Sequence, residues 1–182
     1  MRSKLKQHLL VLGLLLIGYS LQAAELITEQ SQIQFSATQM GKAFTGNIER
    51  FQVQAEFDEQ QQLQSLSLQI PSDALKTGDK KRDTLLQSAE WLASENYPQL
   101  QFSGQPQNSD GERIQLAGEL EIKGTRQPLT LNVRQQQADG VIKLLTEGEI
   151  ERQAYELGTG EWLDTKVVGP TIHFEAALSL KP

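Results

Sequence analysis

R-D-T-L-L-Q-S-A-E-W-L-A-S-E-N-Y-P-Q-L-Q-F, residues Arg82 to Phe102, is the one stretch beyond the N-terminal leader whose apolar spacing is helical. Leu85, Leu86, Ala89, Leu92 and Ala93 recur at helical intervals and make a single stripe. Thr84 and Gln87 have the spacing of a capping box. Asn96 and Pro98 end the segment, because the residue before a proline is pushed to extended geometry. These signals predict a helix over about residues 83–94. Leu100 and Phe102 then alternate with Gln99, Gln101 and Ser103, which is a strand pattern. Trp91 lies off the stripe. One helix with a misplaced tryptophan, set among strands, fits a cover over a barrel mouth or a plug on one end of a solid core.

Working outward, the apolar period becomes two. Ile33, Phe35 and Ala37 share one face. Phe44, Gly46 and Ile48 follow in phase, and Phe51, Val53, Ala55 and Phe57 continue in the opposite phase. A slip of one residue near Glu49 and Arg50 predicts a bulge or strong bend, because a register change flips the faces. Leu66, Leu68 and Ile70 run up to Pro71. Downstream, Ile114, Leu116, Gly118, Leu120 and Ile122 alternate, then Leu129, Leu131 and Val133, then Ile172, Phe174, Ala176, Leu178 and Leu180. Asp110-Gly111 and Asp139-Gly140 are hairpin signals, and Gly124 to Pro128 reads as a turn. About eight strands joined by short turns imply antiparallel neighbours. A sandwich and a closed barrel both satisfy the pattern. Long strands with a phase slip favour the barrel, so the expected class is all-β, about eight antiparallel strands with one helix near a barrel end.

The 182 residues fit one domain. There is no cysteine, which removes disulfides, thiol nucleophiles, zinc-thiolate sites and lipoprotein acylation. Arg2, Lys4 and Lys6, the apolar run Leu9 to Ile17 and the small residues Ala23 and Ala24 form a secretory leader over residues 1–23, cleaved near 23/24. Residues 24–182 are then the single mature domain, and a bacterial exported protein without cysteines is expected in the periplasm. The leader holds three basic residues and no acidic one, so its removal takes the formal charge from −6 to −9. Nucleic acid is excluded as a partner, since it needs a basic surface.

Little catalytic chemistry is available. His173 is the only histidine of the mature chain, and its neighbours Ile172 and Phe174 point inward, so it is expected outside. No metal-ligand set, G-x-S-x-G elbow, phosphate loop or dinucleotide fingerprint occurs. Asp79 with Asp83, and Glu149 with Glu151, are paired carboxylates by type alone. What remains is the interior. If hollow, it suits an apolar ligand, with each buried CH2 contributing ~0.8 kcal/mol and a five-carbon unit about 3 to 4 kcal/mol before the cost of association. If filled, it is an ordinary core. Lys76, Lys80, Lys81 and Arg82 form the densest basic cluster of the mature chain, either a solvated turn or a seat for a phosphate or polar headgroup.

Several stretches in order resemble the YceI-like family. They are F-T-G-N-I-E-R-F (Phe44 to Phe51), T-G-D-K-K-R-D-T-L-L-Q-S-A-E-W-L (Thr77 to Leu92) followed by Y-P-Q-L-Q-F (Tyr97 to Phe102), A-G-E-L-E-I-K-G-T-R-Q-P-L-T-L (Ala117 to Leu131), and G-T-G-E-W-L-D-T-K-V-V-G-P (Gly158 to Pro170). The resemblance covers about Glu25 to Leu180. It implies an exported, lipocalin-like antiparallel barrel that holds a polyisoprenoid lipid, of ubiquinone or prenyl phosphate type, and needs no other cofactor. The branch with threonine-glycine-aspartate before the helix is associated with membrane b-type cytochromes, which implies such a cytochrome as a partner. One departure is Arg152-Gln153-Ala154-Tyr155-Glu156, where the family often has Arg-x-Asp-Phe-Gly.

Taken together, the expectation is a binding protein rather than an enzyme. Phe35, Phe44, Phe51, Leu68, Phe102, Leu116, Leu120, Leu131 and Phe174 would contact the tail. Trp91 and Trp162 would stand at the mouth, and Lys81 and Arg82 at the headgroup. The rivals are a ligand-free accessory protein of a membrane cytochrome and, behind it, a lipid-modifying enzyme.

Overall fold

The computed structural model describes residues 22–182, so residues 1–21 of the expected leader lie outside the described chain. The period-two stretches become twelve extended segments in one antiparallel sheet: β1 (Gln22–Ala23), β2 (Glu25–Leu26), β3 (Gln32–Gln39), β4 (Lys42–Ile48), β5 (Gln52–Phe57), β6 (Leu63–Pro71), β7 (Leu75–Lys76), β8 (Gln99–Ser109), β9 (Arg113–Ile122), β10 (Thr125–Ala138), β11 (Val141–Glu151) and β12 (Thr171–Lys181). The sheet runs β1-β5-β6-β8-β9-β10-β11-β12-β3-β4-β7, with β2 beside β12. The number exceeds the expected eight for two reasons. The predicted phase slip breaks one long strand into β4 and β5, and three of the segments have only two residues, too few to show a period.

At the slip the chain passes from one flank of the curled sheet to the other. Before it, β4 pairs with β3; after it, β5 pairs with β6. Both phases point inward, since Gly46, Ala55 and Phe57 are all buried. Short segments fill the flanks that the bend leaves open. β7 pairs with β4. On the other flank Ala24 N–H donates to the Ala55 carbonyl at 3.0 Å and Ile27 N–H to the Ser179 carbonyl at 2.8 Å, so the chain around β1 and β2 bridges β5 and β12.

Inward glycines let the strands coil tightly, and phenylalanines cover them. A Cβ on Gly46 would lie 2.3 Å from the Phe35 ring, one on Gly148 2.6 Å from the Phe174 ring, and one on Gly118 2.8 Å from the Phe102 ring. The Asp139-Gly140 turn follows the expected chemistry, with left-handed φ at both residues, and Met40 with Gly41 forms a second turn of the same kind. The expected turn from Gly124 to Pro128 is shorter. Lys123 and Gly124 alone turn the chain, and Pro128 sits within β10 opposite Glu119.

The helix differs from expectation. α1 spans Lys80–Leu86, not 83–94. Its cap is Asp79, whose carboxylate accepts the Lys81 and Arg82 N–H groups at 2.9 and 3.1 Å. Those two N–H groups, Arg82 first, hold the carboxyl below its usual range. Thr84 is therefore mid-helix, with its hydroxyl on the Lys80 carbonyl. After Leu86 the chain breaks into turns, and Ala93 adopts a φ of +46°. The apolar stripe is real, but Trp91, Leu92 and Ala93 reach the core by folding back over the barrel end.

Two long connections cover that end, residues 72–98 between β6 and β8 and residues 152–170 between β11 and β12. They are tied together where Gly158 and Thr159 donate to the Glu90 carbonyl at 2.7 and 3.1 Å. The opposite end carries short turns and a packed core of Phe57, Leu63, Leu116, Ile142 and Leu180.

Candidate functional site

Beneath the two long connections lies a cavity of about 170 Å³. Its wall contains no ionisable side chain. Each strand contributes through its inward phase: Phe35 from β3, Leu68 and Ile70 from β6, Phe102 from β8, Leu120 from β9, Leu131 from β10, and Phe174 and Ala176 from β12. Leu86, Trp91, Leu92 and Leu157 close it from the connections. A void near 150 Å³ with such a lining stays dry and takes a benzene-sized molecule. This cavity therefore has room for about one five-carbon unit as it stands. A longer chain must displace side chains.

A second void of about 50 Å³ adjoins it. The two share Phe35, Leu86, Trp91 and Ile172. The smaller one reaches Phe44, Gln39, Arg82 and Arg152. Arg82 lies 4.1 Å above the Phe44 ring and its Nε donates to Gln39 Oε1 at 3.3 Å, a cation-π contact that keeps the guanidinium at the rim. The lining residues thus run from the apolar cavity, through Trp91 shared by both voids, to an arginine beside the smaller one.

Of the nine side chains expected along a tail, Phe35, Leu68, Phe102, Leu120, Leu131 and Phe174 border the larger cavity. Phe44 borders the smaller one. Leu116 is fully buried in the packed end, and Phe51 is half-buried between the two clusters; neither borders a void. Trp91 borders both voids. It is only 6% exposed, because the chain turns after α1 and folds it over the barrel end. Trp162 packs against it with the rings tilted by 57° and their centroids 6.2 Å apart, and does not border either void. Lys81 is exposed in the first turn of α1, with Arg82 the residue that reaches inward. His173 is outside, 3.5 Å from Glu149, its cross-strand neighbour.

Sequence reading gave no role to Arg152. It is completely buried. Nε donates to the Gly169 carbonyl at 3.0 Å, Nη1 to Leu157 and Gly158 at 2.7 and 3.3 Å, and Nη2 to Trp162 and Val168 at 2.7 and 3.0 Å. All five donors are engaged by neutral carbonyls of the second connection. Burial lowers its pKa from the ordinary arginine value, and no described carboxylate pairs with it. Its guanidinium lies 5.6 Å from the Trp91 ring centroid. The signal available beforehand was the arginine kept in an otherwise altered family motif. Among the described residues no group of three His, Cys, Asp or Glu side chains is placed to hold a metal ion.

Comparison with known proteins agrees with this architecture. The chain is 30% identical over 90 residues to a UPF0312 protein of Enterobacter, an alignment covering 49% of this chain and 47% of that one. It is 29% identical over 69 residues to the protein YceI of Escherichia coli O157:H7, covering 38% and 36%. The matched regions thus span less than half the length of these relatives. Among solved structures, BcnA of Burkholderia cenocepacia superposes with a TM-score of 0.79 at 25% identity, over 85% of this chain and 99% of that one. A polyisoprenoid binding domain from Saccharophagus degradans, implicated in plant cell wall breakdown, gives 0.68 at 14% identity, over 89% and 99%, a likeness of fold. Residues 25–180 match the model of the YceI-like domain, and on that match, which covers most of the sequence and all the strands lining the cavity, the chain belongs to the YceI-like family.

Proposed function

We propose that this protein is a noncovalent carrier of an isoprenoid lipid, of quinone or prenyl phosphate type, in the periplasm. The observation that carries the reading is the cavity beneath the two connections, whose wall has no ionisable side chain. Such a site gains from burying hydrocarbon and would exclude a hydrated ligand. The fold shared with a polyisoprenoid binding domain supports the same reading, and the leader pattern of residues 1–23 supports export. Among the described residues, the only ionisable groups bordering the two voids are Arg82 and Arg152. Arginine stays protonated in proteins, so the pair can bind and polarise but supplies no general base. That favours binding over catalysis.

The test is mass spectrometry of an organic extract from the protein purified out of its native compartment without detergent. A stoichiometric isoprenoid is the expected result and names tail and headgroup together. A clean extract, followed by no saturable uptake of a short-chain quinone or prenyl phosphate, would overturn the reading. It would then leave a ligand-free partner of a membrane cytochrome, testable by co-purification.

A further inference from the structure

Four inward positions form one row across adjacent strands. Gly148 of β11 pairs with Phe174 of β12, Phe174 with Phe35 of β3, and Phe35 with Gly46 of β4. The order glycine, phenylalanine, phenylalanine, glycine decides where the rings go. Each ring lies over the glycine on its outer side. A Cβ on Gly148 would meet three Phe174 ring atoms at 2.6, 3.1 and 3.3 Å, and one on Gly46 two Phe35 ring atoms at 2.3 and 2.5 Å. The two rings therefore lean apart, and both border the larger cavity.

At residue 148 only the ring calls for glycine. Its φ is not left-handed, so other residues can adopt the same backbone. The three atoms nearest to an added Cβ all belong to Phe174. Elsewhere the main chain itself stands in the way. A Cβ on Gly118 would lie 2.2 Å from the Ser103 carbonyl oxygen, and one on Gly46 2.8 Å from that of Lys76. Glycine inside a strand weakens it and packs nothing. What the chain gains at 148 is a ring held back over the sheet and out of the void. The void is small enough for that to matter. One benzene occupies a cavity of about 150 Å³, and this one is about 170 Å³, so a single phenyl ring turned inward would take most of the room.

We infer that Gly148 and Phe174, with Phe35 and Gly46 completing the row, set the capacity of the cavity and so the length of chain it holds. A side chain at 148 turns the Phe174 ring into the void; the bare backbone there keeps it out. For chain length this rests on the carrier reading above.

The test compares the lipid-free parent with Gly148→Ala, Phe174→Leu and the double variant. Leucine is too short to reach over residue 148, so the double variant carries the methyl group without the ring. Benzene, followed by the methyl NMR shifts of Leu68, Leu120 and Leu131, reports on the cavity without any lipid. Its affinity should fall about tenfold in Gly148→Ala, the equivalent of roughly two buried methylene groups, and be equal in Phe174→Leu and the double variant. Geraniol and farnesol, neutral chains differing by one five-carbon unit, report on length. The preference for farnesol should fall about tenfold in Gly148→Ala, because a smaller cavity holds fewer units, and return in the double variant. Parent-like benzene binding by Gly148→Ala would overturn the inference, as would no benzene binding by the folded parent. A further loss from Phe174→Leu to the double variant would also overturn it, by assigning the effect to the methyl group itself. If Gly148→Ala does not fold, recovery of folding and benzene binding in the double variant supports the same competition between ring and side chain, and failure to recover refutes it. If benzene behaves as expected but neither alcohol saturates the parent, the row shapes the cavity while the carrier reading fails, and the role in chain length fails with it.

Discussion

At the short-turn end of the barrel, Phe57, Leu63, Leu116, Ile142 and Leu180 are at most 2% exposed and fill the space between strands. At the end under the long connections, Phe35, Leu68, Leu120 and Phe174 are only partly buried and surround a void. Buried polar groups differ in the same sense. Gln135, 4% exposed, is satisfied on both sides of its amide, with Oε1 accepting from Leu63 N–H at 3.4 Å and Nε2 donating to the Gln61 carbonyl at 2.7 Å. Trp91 is as buried and unpaired. Both ends are built from the same strands with the same inward alternation. The difference lies in what seals them. Tight hairpins bring short side chains together until no gap is left, whereas two folded connections rest on the barrel through Trp91 and Arg152 and leave space beneath.

The strongest way to break the contrast is to remove the brace of the hollow end. Arg152→Met would strand four buried carbonyls and the half-buried one of Trp162, each buried one costing about 1 kcal/mol or more. We expect a loss of about 5 kcal/mol, comparable to the whole stability of an ordinary domain, read as a collapse of the urea midpoint. Next, Phe57→Ala at the packed end should cost about 3 to 5 kcal/mol, while Phe35→Ala beside the void should cost about half as much in the same urea series. Equal losses would mean that the two ends are packed alike. Ala176→Phe sharpens the contrast from the other side, because Ala176 borders the cavity and a larger side chain there occupies the space a ligand would take. Isoprenoid uptake should drop at least tenfold with stability changed by about 1 kcal/mol or less. The smallest effect is expected at the rim. Arg82→Gln should weaken farnesyl phosphate by a few-fold and leave a neutral quinone nearly unchanged, since the guanidinium is partly solvated. An equal effect on both would assign Arg82 to packing on Phe44.

Most of the strand framework was legible because an antiparallel barrel with one wet face writes its geometry as strict alternation. The slip at Glu49 and Arg50 was legible for the same reason, since a bend shows as a change of phase. The helix boundaries were not. A stripe of apolar residues tells which side chains are buried, not whether the backbone reaching them is helical. Leu92 and Ala93 are buried through turns, and Asp79 outcompeted Thr84 as the cap. Trp91 off the stripe was the one local sign that the helix does not continue. Arg152 was illegible for a different reason. Its acceptors come from residues 157–169, and whether an arginine at a strand end is solvated or buried depends on the path of that loop. Which inward residues border a void and which fill the core, as Leu116 does, is likewise a property of the covers.

The bridge across the flank of the sheet bears on how the chain assembles. Ser179 N–H bonds to Ser31 Oγ, 148 residues away, and Leu180 pairs with Leu26. Among the described strands, an early segment is therefore held by β12, the last in chain order. Until β12 arrives, β11 and β3 lack their shared neighbour and the sheet is an open trough with its apolar face uncovered. Such distant pairing makes closure slow and leaves sticky surface exposed in the interval. On the carrier reading proposed above, a lipid that met the trough in that interval would lie against the same phenylalanines that line the cavity and would be enclosed by β12 without having to pass Trp91 at all.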